Sequence, residues 1–240
     1  MAGPRALIQF PKMANAATAV ALAIVVISVA WAVLLRSAGL SLYFSPASVV
    51  HSGALWEWAT YALADNQTMS VLFAALIVWS LGGSLEATWG RARFLVVVLS
   101  TPIVAAMLTT GLAFAWPALF SQVYLGAHVT SAAVWTAYGC VRWNGSVNFF
   151  GLPVTGRTFA AIGVLMELLN AVFYSVAQVV PVFVAIVLAG GYVLGVGPTG
   201  LWVQFQSWRL SRLLKKRSRH LHVVGGTKRN MPPDSDRYLH

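Results

Sequence analysis

The feature that most constrains this chain is a series of six long apolar stretches that are almost free of charged side chains. A helix needs roughly 20 consecutive, mostly apolar residues to cross the hydrocarbon core of a membrane. We therefore predict an all-α polytopic membrane protein with six transmembrane helices. Their predicted positions are residues 15–35, 68–88, 94–116, 122–142, 158–175 and 178–203.

The composition is typical of a chain whose main solvent is lipid. Hydrophobic residues occupy 58% of the 240 positions and charged residues only 9%, whereas charged residues make up about 25% of a soluble domain. We predict three parts: a cytoplasmic N-terminal segment at 1–13, a membrane domain at 14–205 and a basic cytoplasmic tail at 206–240.

The basic residues assign the two sides of the membrane. Loops on the cytoplasmic side carry an excess of Lys and Arg. If six helices alternate in direction, Arg36 is the only basic residue that lies on the opposite side. We therefore expect both termini in the cytoplasm and, for the whole chain, an integral protein of a bacterial inner membrane. Outside the tail, the cytoplasmic side is defined by Arg5, Lys12, Arg91, Arg93, Arg142 and Arg157.

The long loop predicted between the first two helices, residues 37–67, is rich in aromatic side chains. It contains the run "ALWEWATYALA" at 54–64. Trp and Tyr concentrate at the boundary between membrane and water, because each side chain has an apolar body and a polar tip. We predict that this loop lies in the headgroup zone and that Trp56 and Trp58 contact lipid or a partner protein.

The tail begins with "SWRLSRLLKKRSRH", in which leucines share one helical face and basic residues occupy the others. A basic amphipathic helix of this kind lies on an anionic membrane surface. Because the basic residues cluster beside the last apolar stretch, the net charge of +10 does not indicate a nucleic-acid partner. We expect anionic lipid or an acidic partner surface to contact Arg209, Arg212, Lys215 and Lys216.

Few side chains in the apolar stretches can carry chemistry. The single cysteine excludes an internal disulfide and a site with several cysteine ligands, and we expect neither a metal nor a cofactor. Glu86 is expected to be a structural cap or an ion-pair partner of Arg91 or Arg93. Glu167 and Asn170 are expected to form hydrogen bonds within the bundle. A transporter is disfavoured because, apart from Glu86, no second carboxylate lies in another stretch.

One stretch, "YLGAHVTSAAVWTAYG" at 124–139, combines apolar character with His128, Thr130 and Ser131. His128 precedes Ser131 by three residues, so the two share a helix face. A histidine that removes the proton from a serine hydroxyl makes that serine a nucleophile. Two interpretations stay open: a catalytic pair of His128 and Ser131, or a polar seam of small residues that packs this helix against its neighbours.

Three motifs occur in a fixed order along the chain. The aromatic loop "LWEWATYAL" precedes the second stretch. The motif "LGGSLEATWGRARFL" begins inside the second stretch and continues past its end, and "VLAGGYVLG" lies in the sixth stretch before the basic tail. This order and spacing resemble the rhomboid family of six-helix intramembrane serine proteases over nearly the whole chain. The resemblance implies a rhomboid-like bundle with a long interfacial loop between helices one and two.

Rhomboid proteases use a serine at the start of helix four and a histidine in helix six, and groups near the start of helix two help to bind the oxyanion. The glycine that commonly follows the family's nucleophile corresponds here to Gly139, which places the nucleophile at Ser131. The histidine position falls at about Val184, and the helix-two positions fall near Ser70 and Ala74. The resemblance therefore implies a member that keeps the serine but lacks the base and the oxyanion donors.

We accordingly predict a non-catalytic rhomboid-like membrane protein, a pseudoprotease that binds transmembrane helices of other proteins or serves as an accessory subunit of a larger membrane complex. The alternative is an atypical active intramembrane serine protease that uses Ser131 with His128. The resemblance also implies close packing of helices four and six, with no room at Gly191 for a larger side chain. The small residues of this predicted seam are Gly190, Gly191, Gly195 and Ala132.

Overall fold

The computed structural model describes residues 15–35, 42–149 and 151–195. The predicted N-terminal segment at 1–13 and the predicted tail at 206–240 lie outside the described residues. The same is true of the four predicted tail contacts, Arg209, Arg212, Lys215 and Lys216.

The described part of the chain is mostly helical, with eight α-helices and one two-stranded hairpin. Helices suit a membrane because every backbone group away from their ends is hydrogen-bonded within the helix. The helices are α1 (Ala16–Ala30), α2 (Pro46–Ser52), α3 (Glu57–Thr60), α4 (Thr68–Trp89), α5 (Arg91–Ala113), α6 (Ala127–Val141), α7 (Gly156–Phe173) and α8 (Val176–Val193). The strands are β1 (Ser146–Phe149) and β2 (Leu152–Thr155).

Five helices are long and apolar enough to cross a membrane, as in an integral membrane protein: α1 with its extension to Leu34, α4, α5, α7 and α8. Where both ends are described, they differ from the predicted ends by a few residues. The helix predicted at 122–142 is shorter than expected, because α6 has only 15 residues. At about 1.5 Å per residue it spans about 22 Å, whereas the hydrocarbon core is about 30 Å thick.

The residues that precede α6 explain its late start. Tyr124 lies in an extended segment and exchanges two backbone hydrogen bonds with Phe44, of 2.8 and 3.0 Å. The Tyr124 hydroxyl also donates a 2.9 Å hydrogen bond to the carbonyl of Ala177 in α8. Because tertiary contacts satisfy these groups, the chain does not need a helix there.

Helix α6 packs against α4, α5, α7 and α8, which places it at the centre of the bundle. Its closest approach is to α7. A Cβ on Gly139 would lie 2.8 Å from the Cβ of Ala160 and 2.9 Å from the carbonyl oxygen of Gly156. A Cβ on Gly163 would lie 2.6 Å from the indole ring of Trp135. The two helices therefore approach to a separation that only glycine permits at these positions.

The predicted interfacial loop contains α2 and α3, and it is held against the bundle by hydrogen bonds. The buried Tyr61 hydroxyl donates to the carbonyl of Pro102 at 2.6 Å, and burial raises the pKa of this phenol. The indole nitrogen of Trp58 donates to the Thr110 hydroxyl at 3.1 Å. Of the two tryptophans predicted to contact lipid or a partner, Trp56 is the exposed one, with 61% of its surface accessible.

Glu86 caps a helix other than its own. Its carboxylate accepts the backbone N–H groups of Ala16 and Ala17, at 3.0 and 2.9 Å. These are donors that the first turn of α1 leaves unpaired, and a negative charge there also stabilises the helix dipole. Of the two roles predicted for Glu86, the structure forms the cap. Among the described residues no ion pair joins Glu86 to Arg91 or Arg93.

A β-hairpin that the sequence analysis did not predict connects α6 to α7. Its strands pair antiparallel, with Val147 opposite Val154. Gly151, at a φ of 87°, supplies the left-handed conformation that the turn requires. The backbone N–H of Gly156 donates to the carbonyl of Gly145 at 3.0 Å, so the hairpin brings the start of α7 back to the end of α6.

Candidate functional site

Ser131, the predicted nucleophile position, lies in the second turn of α6 and is 3% exposed. Its hydroxyl donates a 2.8 Å hydrogen bond to the backbone carbonyl of His128, three residues earlier in the same helix. Serine in a helix commonly bonds back in this way. Among the hydrogen bonds of the described residues, none joins Ser131 to the His128 ring, so the structure does not assemble the catalytic pair.

The His128 ring instead contacts α7. Its Nε2 lies 2.9 Å from one carboxylate oxygen of Glu167 and 3.0 Å from the other. The side-chain amide of Asn170 donates to the same carboxylate at 3.3 Å. Glu167 is 5% exposed, so the carboxylate is buried between a histidine of one helix and an amide of its own. The two residues are 39 positions apart in the sequence, and their contact joins α6 to α7.

A second carboxylate, Asp65, lies just before α4. It accepts hydrogen bonds from the backbone of Asn66 and Gln67, at 2.8 and 3.1 Å, and from the hydroxyl of Ser70. No hydrogen bond or ion pair of the described residues joins Asp65 to His128 or Glu167. Three residues form what is here named the polar cluster: His128, Glu167 and Asn170.

The positions that the rhomboid resemblance assigns to the other catalytic groups hold no such groups. Val184 on α8 is partly buried and packs against the hydrophobic core. Ala74 on α4 is 1% exposed and belongs to the same core. Ser70 has a hydroxyl, but that hydroxyl donates to Asp65. A serine nucleophile needs both an aligned base and preorganised oxyanion donors, and these three positions provide neither.

The predicted small-residue seam between α6 and α8 is only partly present. A Cβ on Gly190 would lie 3.7 Å from Thr136 and 3.8 Å from Cys140, which are ordinary van der Waals distances. Among the described residues, a Cβ on Gly191 or Gly195 would meet nothing within 4 Å. The described residues therefore show no close approach at Gly191, where the sequence predicts one.

Two further observations concern the predicted seam. Ala132, the fourth predicted member of the seam, is partly buried and packs against the core. The tight glycine contact lies between α6 and α7 instead. Its signal in the sequence is the spacing of Gly156, Ala160 and Gly163, which places three small residues on one face of a helix.

The polar cluster has hydrogen-bonding atoms that its own contacts do not use. The His128 side chain is 41% exposed although Glu167 beside it is buried. Within the described residues, neither Nδ1 of His128 nor the side-chain oxygen of Asn170 has a hydrogen-bond partner. A polar group in contact with hydrocarbon is costly unless it is paired. The described residues contain no group of three or more His, Cys, Asp or Glu that could hold a metal ion.

No protein-family model matches this chain, and no curated protein matches it. The resemblance to rhomboids therefore depends on the order of the motifs.

Proposed function

We propose that this chain is a non-catalytic, rhomboid-like membrane protein that binds transmembrane helices of partner proteins, within a larger membrane complex. The observation that carries the proposal is the state of Ser131. Its hydroxyl is bound to its own helix, the imidazole of His128 is bound to Glu167, and Val184 occupies the position where the family has its base.

The helix arrangement supports the rhomboid part of the proposal. The family resemblance assigns the serine to helix four and requires that helix four meet helix six. Here the short α6 carries Ser131, and it packs extensively against α8 as well as α4. We count α6 as the fourth of six bundle helices, with α2 and α3 in the interfacial loop between the first two. Both termini are then cytoplasmic, as the distribution of basic residues predicts.

The polar cluster supports the binding part of the proposal. Among the described residues, it leaves hydrogen-bonding atoms of His128 and Asn170 without a partner, and the same helix α7 exposes Leu165, Leu168 and Leu169 on its outer face. Polar side chains facing one another across helices are a common means of association in membranes. A partner helix with a hydrogen-bonding side chain at this depth would pair with the cluster.

A photo-crosslinking amino acid placed at Leu168 tests this. Leu168 is 50% exposed and adjacent to Glu167, whereas Val96 on α5 is 65% exposed and has no such neighbour, which makes it the matched control. In native membranes we expect Leu168 to crosslink to a discrete membrane protein, and Val96 to crosslink to lipid. The protein adduct should weaken in a Glu167→Ala background. Equal adducts from both positions, or lipid adducts alone, would argue against a helix-binding site here.

One observation favours the alternative, an atypical protease. The carboxylate of Glu167 orients the His128 ring and leaves its Nδ1 without a partner, as in bases held by an acidic residue. Ser131 would have to release the His128 carbonyl and turn toward that nitrogen. Labelling of Ser131 by a serine-directed fluorophosphonate probe distinguishes this function from the proposed one.

A further inference from the structure

The first turn of α5 holds an arginine in a fixed position. The Arg93 Nε donates a 2.7 Å hydrogen bond to the hydroxyl oxygen of Tyr192 on α8. The guanidinium carbon lies 5.3 Å from the centre of the Tyr192 ring and 5.7 Å from that of Trp89. An arginine held by an aromatic face and a hydrogen bond loses less freedom when it binds a further group. Trp89, Arg93 and Tyr192 are here named the arginine clamp.

The arginine clamp presents only donors to its surroundings. Arg93 uses its Nε for Tyr192, which leaves the N–H groups of its two terminal nitrogens. Because the Tyr192 oxygen accepts that bond, its own O–H remains able to donate. In the described part of the chain no carboxylate pairs with Arg93. The nearest acid in sequence, Glu86, is occupied with the backbone of α1.

The position of the clamp restricts what can bind. α4 and α5 are both long enough to cross a membrane and are joined only through Gly90. The clamp therefore lies where the chain leaves the membrane and returns. Trp and Tyr are characteristic of this headgroup level. Arg91, exposed in the first turn of α5, adds a second positive charge.

We infer that the arginine clamp binds the phosphate of an anionic phospholipid. A phosphate offers only acceptor oxygens, and the planar guanidinium matches two of them at once. Headgroup phosphates are abundant at this depth, and a second negative charge on the headgroup would be balanced by Arg91. This inference does not depend on the proposed function. An acidic protein surface offers similar charge, but it would have to reach the headgroup level between two membrane helices.

The test measures how phosphatidylglycerol raises the thermal unfolding midpoint of the full-length protein in mild detergent, relative to the lipid-free midpoint of each variant. Arg93→Lys keeps the charge but removes the planar fork, and Tyr192→Phe keeps the ring but removes the hydroxyl. Arg157→Lys is the matched control, because Arg157 is exposed and outside the clamp. Phosphatidylcholine and inorganic phosphate are titrated in parallel.

We expect phosphatidylglycerol to stabilise the wild-type protein and the Arg157→Lys variant at the same concentration. Arg93→Lys should require about tenfold more lipid, as expected for loss of a charge-assisted hydrogen bond, and Tyr192→Phe should require an intermediate amount. Equal stabilisation by phosphatidylcholine or inorganic phosphate would overturn the inference, as would equal responses of the Arg93 and Arg157 variants. If binding of an acidic membrane protein depends on Arg93 while binding of lipid does not, the occupant is a protein and the inference is wrong.

Discussion

From Gly156 to Gly163, α7 packs against α6 through small residues and through the ring of Phe159, which stacks on Trp135. From Glu167 onward it contacts α6 through a hydrogen-bonded pair of ionisable side chains. The first half of the helix leaves no space for a larger side chain. In the second half, Val172 and Phe173 are 80% and 79% exposed. The same two helices are therefore held together by shape at one end and by polar chemistry at the other.

This difference indicates where recognition can reside. A contact between backbones fixes the angle of two helices, but all of its surface is already used. Among the described residues, the polar cluster at the other end keeps hydrogen-bonding atoms without a partner, and the proposed function assigns partner binding to this end. Intramembrane ionisable residues are expensive to retain and commonly serve such a purpose.

The largest expected effect comes from filling the tight end. Gly139→Leu would drive a side chain into Ala160 and the backbone of Gly156. We expect a loss of stability of about 3 kcal/mol or more, at or above the upper end for overpacked cores. Gly191→Leu is the control, because the described residues leave open space there, and its effect should stay within about 0.5 kcal/mol. Unfolding in detergent measures both, and equal effects would contradict the distinction between these glycines.

A smaller effect is expected at the polar end. A double-mutant cycle with His128→Ala and Glu167→Ala should give a coupling energy of about 1 kcal/mol, within the range measured for hydrogen bonds between membrane helices. A parallel cycle with His128→Ala and Ser131→Ala should give almost none, because the Ser131 hydroxyl bonds to a backbone oxygen that the substitution keeps. A larger coupling energy for His128 with Ser131 than for His128 with Glu167 would support the catalytic pair instead.

The smallest effect is expected for Ser131→Ala alone. The Ser131 hydroxyl donates a hydrogen bond to a backbone carbonyl of its own helix, and such bonds add little to helix stability. We expect the free energy of unfolding to change by no more than about 0.5 kcal/mol, with the crosslinking from Leu168 unchanged. Loss of that crosslinking in Ser131→Ala would show that the serine takes part in binding.

Much of the fold could be predicted because a continuous run of apolar residues is enough to indicate a membrane helix. The apolar stretches gave five helices whose described ends differ by a few residues from those observed. The shorter α6 could not be predicted in the same way. The stretch that contains Tyr124 is apolar enough to predict a membrane helix. The segment is extended because Tyr124 pairs with Phe44, which is distant in the sequence.

The site was harder to predict because sequence spacing shows neighbours on one helix and not between helices. Ser131 shares a helix face with His128 three residues away, yet Glu167 is the partner of His128 in space. The glycine pattern has the same limit. Gly191 and Gly163 both have the small side chain that close packing needs, but among the described residues the crossing of the helices brings a neighbour against Gly163 and none against Gly191.

The central claim, that Ser131 is not a nucleophile, is tested most directly by treating native membranes that contain the full-length protein with a fluorophosphonate probe. Wild type, Ser131→Ala and His128→Ala are compared, with an active serine hydrolase in the same membranes as the positive control. We predict no labelling above the Ser131→Ala background in any form of this protein. Labelling of the wild type that disappears in both variants would contradict the claim and identify an active protease.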